Sequence, residues 1–153
     1  RHAGLALRLV CIAQRGGIED AAGVDAYLRW ARSIGAGTVI FREFSRLDAR
    51  YRDNATRRYI DGARTGIEGL VADCMRSPLG EEFVPQSATD GYYFRNLRLR
   101  HRDGMEVVFE ASDYAHMHRH HDSGAVYKLV FHANGRLCAG WSPDRDVLWE
   151  HTA

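Results

Sequence analysis

Four polar residues stand directly after two apolar runs of the chain, at positions where their side chains can contact a ligand. Gln14 and Arg15 follow the first run, and Arg42 and Glu43 follow the second. An arginine binds a carboxylate through two parallel hydrogen bonds, so Arg15 and Arg42 are candidates to clamp a substrate or cofactor carboxylate. For Arg42 and Glu43 an alternative stays open, since the two side chains can form a structural ion pair or a solvated entrance to the next loop.

A second candidate is the histidine-rich segment 116–122, which reads His-Met-His-Arg-His-His-Asp. Imidazoles at alternating positions of an extended segment can converge on a metal ion, with Asp113 or Asp122 as an oxygen ligand. Arg119 lies inside the segment, however, and the sequence offers no evident distant ligand. We interpret the segment as a solvated loop between two hairpins and predict no metal site.

The first polar residues are positioned by a predicted strand, helix and strand. The apolar runs 5–13 and 38–41 are typical of strands buried on both faces of a parallel sheet. Apolar residues between them fall at helical spacing, which predicts a right-handed crossover. The polar residues then lie at the carboxyl edge of the sheet, where α/β proteins bind ligands. Two parallel strands cannot cover themselves and no third run of this kind follows, so we expect further strands upstream of Arg1.

The middle of the chain is predicted to be helical and then polar. Residues 54–75 read as a helix interrupted by glycines, and a polar, proline-containing linker follows. We therefore expect residues 1–77 to form the closing βα units of a partial (β/α) barrel, residues 78–90 a linker, and residues 91–153 an antiparallel β cap.

Alternating apolar residues in the last third predict two hairpins with three-residue loops. The first hairpin pairs Leu97 with Phe109, Leu99 with Val107 and Arg100 with Glu106. The second pairs Phe131 with Leu137, Leu129 with Ala139 and Tyr127 with Trp141. We expect both to form one small sheet whose core is aromatic, made by Tyr92, Tyr93, Phe94, Tyr127, Trp141 and Trp149.

Composition narrows the class of protein. With 153 residues, 45% of them hydrophobic, and a net charge of +1, the chain is globular. Arginines are spread along the chain and balanced by acids, so a nucleic-acid partner is not favoured. There is no run of about 18 apolar residues and no charged-then-apolar leader, so we expect a cytoplasmic protein with no membrane partner. Cys11, Cys74 and Cys138 are too far apart for a metal pair and read as small buried hydrophobes.

Two passages carry a family resemblance. The segment 7–17, Leu-Arg-Leu-Val-Cys-Ile-Ala-Gln-Arg-Gly-Gly, is followed by an amphipathic helix and by residues 39–44, Val-Ile-Phe-Arg-Glu-Phe. This order resembles the last two βα units of radical S-adenosylmethionine enzymes, in the branch that includes the molybdopterin-precursor cyclase. Residues 127–137, Tyr-Lys-Leu-Val-Phe-His-Ala-Asn-Gly-Arg-Leu, are similar to the hairpin after the barrel in that branch. Together the passages cover most of the chain in the family's order.

The resemblance implies S-adenosylmethionine as cofactor, with a [4Fe-4S] cluster held by a Cys-x-x-x-Cys-x-x-Cys loop after the first barrel strand. This chain has no such loop, so the family order puts it upstream, and the chain by itself is expected neither to bind the cluster nor to be active. By resemblance Gln14 and Glu43 are polar cofactor contacts, with Arg15 and Arg42 beside them.

The resemblance also implies what the intact enzyme would do. Reductive cleavage of the cofactor yields a deoxyadenosyl radical that abstracts hydrogen from a small-molecule or peptide substrate, under a cap formed by the hairpins. Ser123, Val126 and Gly140 stand where the cyclase has the cysteines of an auxiliary cluster, so a second cluster is not expected. The alternative from another class is a standalone, non-catalytic α/β module that binds a ligand or a protein.

Overall fold

The computed structural model describes residues 6–124, 126 and 128–151, with His121 described by its backbone alone. The chain divides into two compact units that meet between Ala115 and His116. This boundary differs from the predicted one, because the first predicted hairpin belongs to the first unit and not to a separate cap. Among the described residues, no helix is long and apolar enough to cross a bilayer.

The first unit is a five-stranded mixed sheet with helices. Its elements are β1 (Leu7–Ala13), α1 (Ala21–Ser33), β2 (Ala36–Glu43), α2 (Ala55–Ala63), α3 (Ile67–Arg76), a 3₁₀ helix (Pro78–Glu82), β3 (Phe83–Asp90), β4 (Phe94–His101) and β5 (Glu106–Ser112). The strand order is β1-β2-β5-β4-β3. The described strands form an open sheet, and the fold is the predicted α/β type.

The predicted parallel pair is confirmed, with Leu9 beside Val39 and Cys11 beside Phe41. Helix α1 connects the two strands and begins at Asp20, whose side chain accepts a 2.7 Å hydrogen bond from the amide of Gly23. This N-terminal cap satisfies an amide that the helix itself cannot pair. The predicted interrupted helix is likewise confirmed as α2 and α3.

The expectation that no third parallel strand follows is wrong. Strand β5 runs parallel to β2, with Phe41 beside Phe109 and Arg42 beside Glu110. The alternating pattern of β5 predicted only its hairpin pairing with β4. A strand has two edges, however, and the second edge of β5 pairs with β2. One edge of the parallel pair is therefore completed within the chain, and β1 is left as an edge of the sheet.

The predicted linker 78–90 is wrong as well. Pro78 opens the 3₁₀ helix, and β3 pairs antiparallel with β4 from Phe83 to Asp90, with one irregularity between Pro85 and Ser87. Only Phe83 of β3 is buried. The polar composition and Pro85 that suggested a linker are those of an edge strand, where a proline removes no needed hydrogen bond and exposed side chains contact water.

The register of the first hairpin is confirmed, with Leu97 opposite Phe109, Leu99 opposite Val107 and Arg100 opposite Glu106. Gly104 in its loop has a φ of 94°, a conformation that favours glycine. This hairpin extends the large sheet, so the expectation that both hairpins share one small sheet is wrong.

The second unit contains α4 from His116 onward (the helix spans Tyr114–Asp122) and a separate sheet of β6 (Val130–Phe131), β7 (Arg136–Cys138) and β8 (Val147–Glu150). Phe131 is opposite Leu137, as predicted. Leu129 and Ala139 lie outside these strands, and Tyr127 lies outside the described residues. The small sheet therefore has three described strands, since β8 pairs with the outer edge of β7.

The described residues of the small sheet do not form the predicted aromatic core. Trp141 and Trp149 are 74% and 49% exposed, and Tyr93 lies in the first unit, where its ring centroid is 5.5 Å from that of Tyr114. A sheet of such short strands offers too little surface to enclose two indole rings.

Helices α1 and α3 cover one face of the large sheet. The ring centroids of Phe41 and Phe109 are 5.4 Å apart on that face, beneath Leu28 and Leu70, and all four side chains are buried. On the opposite face Val10 and Ile12 are 50% and 37% exposed. The described core cluster lies on the helix-covered face, although Val108 of β5 is also buried on the open face. Helices on one face only are uncommon for parallel strands.

We expect hydrogen exchange to follow this asymmetry. Peptides from β2 and β5 should exchange most slowly, because these strands are paired on both edges and packed under the helices. Peptides from β1 should exchange about tenfold faster or more, because the outer edge of an edge strand is unpaired. Mass spectrometry of the exchanged chain measures both, with β3 as the second edge for comparison. Equal protection of β1 and β5 would show that the edge of β1 is covered.

Candidate functional site

The predicted site residues lie together at one edge of the large sheet. Because β1, β2 and β5 are parallel, their carboxyl ends meet at that edge. The side chains do not share one face, however. Successive residues of a strand point to opposite faces, so Glu43 is on the helix-covered face and Arg42 is on the open face. The structure therefore divides the predicted set into two groups.

The carboxylate of Glu43 is buried and surrounded by donors. One oxygen, Oε2, accepts a 3.0 Å hydrogen bond from the amide of Ile67 and lies 2.8 Å from Nη2 of Arg64. The other, Oε1, accepts a 3.2 Å hydrogen bond from the amide of Ser112. Gly66 precedes α3 without a side-chain cap, so Glu43 provides the negative charge at the amino terminus of that helix.

Arg42 and Glu43 each form an ion pair, but not with each other. The partner of Glu43 is Arg64, and the partner of Arg42 is Glu110. The contact between Glu43 and a cofactor remains a prediction. Any such contact would share a carboxylate that already joins β2, α3 and β5.

Arg15 lines a shallow groove of about 320 Å³ beside the amino terminus of α3, and Gln14 precedes it in the chain. The amide of Arg15 donates a 2.9 Å hydrogen bond to the carbonyl of Ala63, and Oε1 of Gln14 accepts a 3.0 Å bond from the Tyr59 hydroxyl. The groove is lined by Arg15, Glu19, Arg64, Thr65, Gly66 and Leu70. Arg64 is already paired with Glu43, so Arg15 is the lining cation that could bind an anionic group, with Glu19 on the same groove.

On the open face, three polar side chains form a row across adjacent strands. Arg42 of β2 is beside Glu110 of β5, and Asn96 of β4 is opposite Glu110. Nε of Arg42 contacts Oε1 of Glu110 in an ion pair, but without hydrogen-bond geometry to any described residue. Oδ1 of Asn96 is buried and likewise has no hydrogen-bond partner among the described residues. We call these three residues the open-face cluster.

Sequence reasoning missed Glu110 and Asn96. The predicted hairpin register already places them opposite each other, so their pairing was available from the sequence. Their position beside Arg42 was not, because nothing in the pattern of β5 shows that its second edge pairs with β2.

The histidine segment is a helix and not the predicted loop. The helix places His116 and His120 one turn apart, with their Nε2 atoms 2.7 Å from each other. No group of three or more histidine, cysteine, aspartate or glutamate side chains suited to a metal ion occurs among the described residues. His116 and His118 are two residues apart. In an extended segment this spacing puts both side chains on one face, but in a helix it directs them apart.

The cysteines lie on three separate elements, and all are free thiols. Cys74 on α3 and Cys138 on β7 are buried, as predicted, whereas Cys11 on β1 is only partly buried. Burial, and then the neighbouring Asp73 carboxylate, raise the pKa of Cys74 to about 12. Burial also raises the pKa of Cys11. Thiols in this state are poor metal ligands and poor nucleophiles at neutral pH.

Replacing Glu43 by glutamine should lower the free energy of unfolding by about 2 kcal/mol, because Arg64 loses its buried counter-charge and two amides lose a charged acceptor. Urea denaturation measures the change. Glu68→Gln is the matched control on α3: its carboxylate is 75% exposed beside Arg95, so less than about 0.5 kcal/mol is expected. Equal effects of both changes would contradict the role of Glu43.

Alkylation at pH 8 should spare Cys74 in the folded chain and modify it after unfolding, since the folded thiol stays protonated below its raised pKa. Iodoacetamide labelling followed by peptide mass spectrometry gives the rate at each cysteine. Cys11 is the internal comparison because it is less buried. Faster labelling of Cys74 than of Cys11 in the native chain would be inconsistent with this packing.

Comparison with known proteins adds no relative to this description. No protein-family model, no curated protein and no solved structure matches the chain. The features of this chain that could support a function are the strand-end groove, the buried Glu43 and the open-face cluster.

Proposed function

We propose that this chain is the C-terminal portion of a radical S-adenosylmethionine enzyme and contributes cofactor and substrate contacts at its strand ends. The observation that carries the proposal is the one-sided cover of the parallel strands. Helices α1 and α3 lie on one face of β1, β2 and β5, and the other face has exposed apolar side chains at Val10 and Ile12.

A one-sided parallel sheet suits a barrel. Open parallel sheets normally have helices on both faces. In a (β/α) barrel the helices form only the outer layer, and the opposite face of every strand lines the interior. The face with Val10 and Ile12 would therefore be an interior wall. The polar open-face cluster near the carboxyl ends of the strands then lies where barrel enzymes bind substrates.

The unpaired edge of β1 favours one kind of partner, namely an upstream barrel segment that adds a parallel strand. Strand β1 is an edge of the described sheet, although its sequence is almost wholly apolar. Natural edge strands are usually short, charged or interrupted, because an apolar edge attracts other chains. A neighbouring strand would pair the outer edge and shield Leu7 and Val10, which are 39% and 50% exposed.

The strand-end residues suit a cofactor with a carboxylate and polar groups. Arg15 offers an exposed guanidinium at the groove, and Gln14 beside it offers an amide, as the resemblance implies. Bound S-adenosylmethionine with a [4Fe-4S] cluster would supply a radical able to abstract hydrogen from a substrate. The three cysteines of this chain are on separate elements, so the cluster ligands are assigned to the upstream segment.

A second candidate is a standalone, non-catalytic α/β module that binds a ligand. The pairing of β5 with β2 favours it, because this pairing gives the first unit a core of its own around Phe41 and Phe109. The open-face cluster and the groove would then serve binding alone. The two candidates differ in what precedes the chain in its gene and in whether the edge of β1 is covered.

The test compares the 153-residue chain with the same chain translated together with its upstream coding sequence. Both are reconstituted anaerobically with iron and sulfide, reduced, and given S-adenosylmethionine. We expect 5′-deoxyadenosine from the longer protein only, because this chain lacks the spaced cysteine triad. Hydrogen exchange of β1 gives a readout independent of catalysis and should slow about tenfold in the longer protein.

Two results would overturn the proposal. One is an upstream sequence that encodes no Cys-x-x-x-Cys-x-x-Cys loop. The other is 5′-deoxyadenosine formed by the 153-residue chain alone. Unchanged exchange of β1 together with no cleavage activity would favour the standalone module.

A further inference from the structure

We propose that His116 and His120 form a chelating pair for a divalent transition metal ion such as Zn²⁺ or Ni²⁺. The proposal assigns a binding site to the second unit and goes beyond the proposed function, on which it does not depend. Helix α4 creates the pair, because residues four apart in a helix lie on one face. In the extended segment assumed from the sequence, His118 would have shared that face.

The two imidazole rings approach each other through nitrogens of the kind that bind metals. Their Nε2 atoms are 2.7 Å apart, and the ring planes cross at 74° with the centroids 4.2 Å apart. At Zn–N bond lengths of about 2.0–2.1 Å, two nitrogens bound to one ion are about 3 Å apart. Rotation of the side chains by a few degrees is enough to admit the ion between them.

A shared proton occupies the position of the ion in this structure. A neutral imidazole has one N–H donor and one acceptor nitrogen, so one Nε2 donates to the other. A metal ion takes both lone pairs in place of that proton. The displaced proton passes to solvent while Nδ1 of the same ring takes one up, so both imidazoles stay neutral. Because the ligand nitrogens must be free of protons, the affinity for the ion falls as the pH is lowered.

The chemistry of the pair selects the class of ion. Imidazole suits Zn²⁺, Ni²⁺ and Cu²⁺, whereas Mg²⁺ and Ca²⁺ prefer oxygen ligands. Both histidines are only partly buried, so an ion can reach them from solvent. Within the described part of the chain, no third histidine, cysteine, aspartate or glutamate completes a metal site. Two or more coordination positions are therefore left for water or for a donor atom of a ligand.

The residue after the first histidine limits what the site can do. Metalloproteases bind zinc through two histidines four apart on a helix, and a glutamate directly after the first histidine is their general base. Met117 stands at that position here. We therefore assign ion binding to the pair and no hydrolysis.

Arg119 opposes the ion. Its Nη2 atom is 3.5 Å from Nδ1 of His116. When Nε2 of His116 binds a metal ion, Nδ1 carries the proton of the neutral ring and can no longer accept from the guanidinium. The guanidinium and the metal ion also repel each other as like charges. Arg119 therefore provides a test that depends on the geometry of this pair.

The experiment titrates the 153-residue chain, without an affinity tag, with ZnCl₂ at pH 7.5 and follows the histidine ring resonances by NMR. Saturable shifts are expected at His116 and His120. His116→Gln and His120→Gln should each weaken binding at least about tenfold, since loss of an outer-shell partner alone costs about 10–100-fold. His118→Gln is the matched control, because its side chain points to another face of the helix, and should change the affinity less than about twofold.

Charge and pH give two further measurements. Arg119→Gln should tighten zinc binding about threefold or more, whereas Arg145→Gln, which removes the same charge from the loop between β7 and β8, should have a smaller effect. Zinc binding should weaken about tenfold or more between pH 7.5 and pH 5.5, because protons compete for the imidazoles. MgCl₂ should produce no saturable shifts.

Thermal unfolding separates loss of the site from loss of the helix. Circular dichroism checks that each variant keeps its helical signal, and Zn²⁺ should raise the unfolding midpoint of the parent chain and of His118→Gln but not of His116→Gln. No saturable shifts with ZnCl₂ would overturn the proposal. So would equal zinc affinities of His116→Gln and His118→Gln, or a rise in midpoint of the same size in all three chains.

Discussion

The first unit depends on one buried carboxylate. Glu43 stands at the end of β2 and binds the amide of Ile67 at the start of α3, the amide of Ser112 at the end of β5, and the guanidinium of Arg64. A buried charge is tolerated only when it is paired and hydrogen-bonded, and here three partners from different segments satisfy it. The same interaction orients the helix that covers the core and aligns the carboxyl ends of the parallel strands. The edge at which ligands would bind is therefore held by Glu43.

The second constraint is the imbalance between the faces of the large sheet. One face is packed under α1 and α3 around Phe41 and Phe109. The other face combines exposed valine and isoleucine side chains with a row of polar groups. Burial of apolar surface is the main favourable term in folding. Another segment or a ligand that covered this apolar face would therefore stabilise the protein. The radical-enzyme proposal depends on this asymmetry.

Glu110 and Glu43 show how neighbouring strand positions are used differently. Glu43 has its hydrogen bonds complete and contributes to stability. Glu110 forms an ion pair with Arg42 and lies opposite Asn96, whose Oδ1 is buried without a hydrogen-bond partner among the described residues. Residues kept at a cost to stability are more often found at binding sites than in the framework, because an optimised framework would have replaced them. The open-face cluster is therefore a better candidate for recognition than the buried carboxylate beside it.

The sequence by itself determined the local elements of this protein. Helical spacing from Val24 to Ala31 predicted α1, the apolar runs predicted β1 and β2, and alternation predicted the pairing of Leu99 with Val107. These features depend on contacts between residues close in the chain or joined by a short loop, and their periods are readable. Only the tertiary structure decided that β5 pairs with β2, that the polar stretch from Phe83 is an edge strand, and that Arg42 faces Glu110 and not Glu43. A strand's pattern shows which face is apolar but not which strand lies at its edge, because backbone hydrogen bonds across a sheet do not depend on side-chain type.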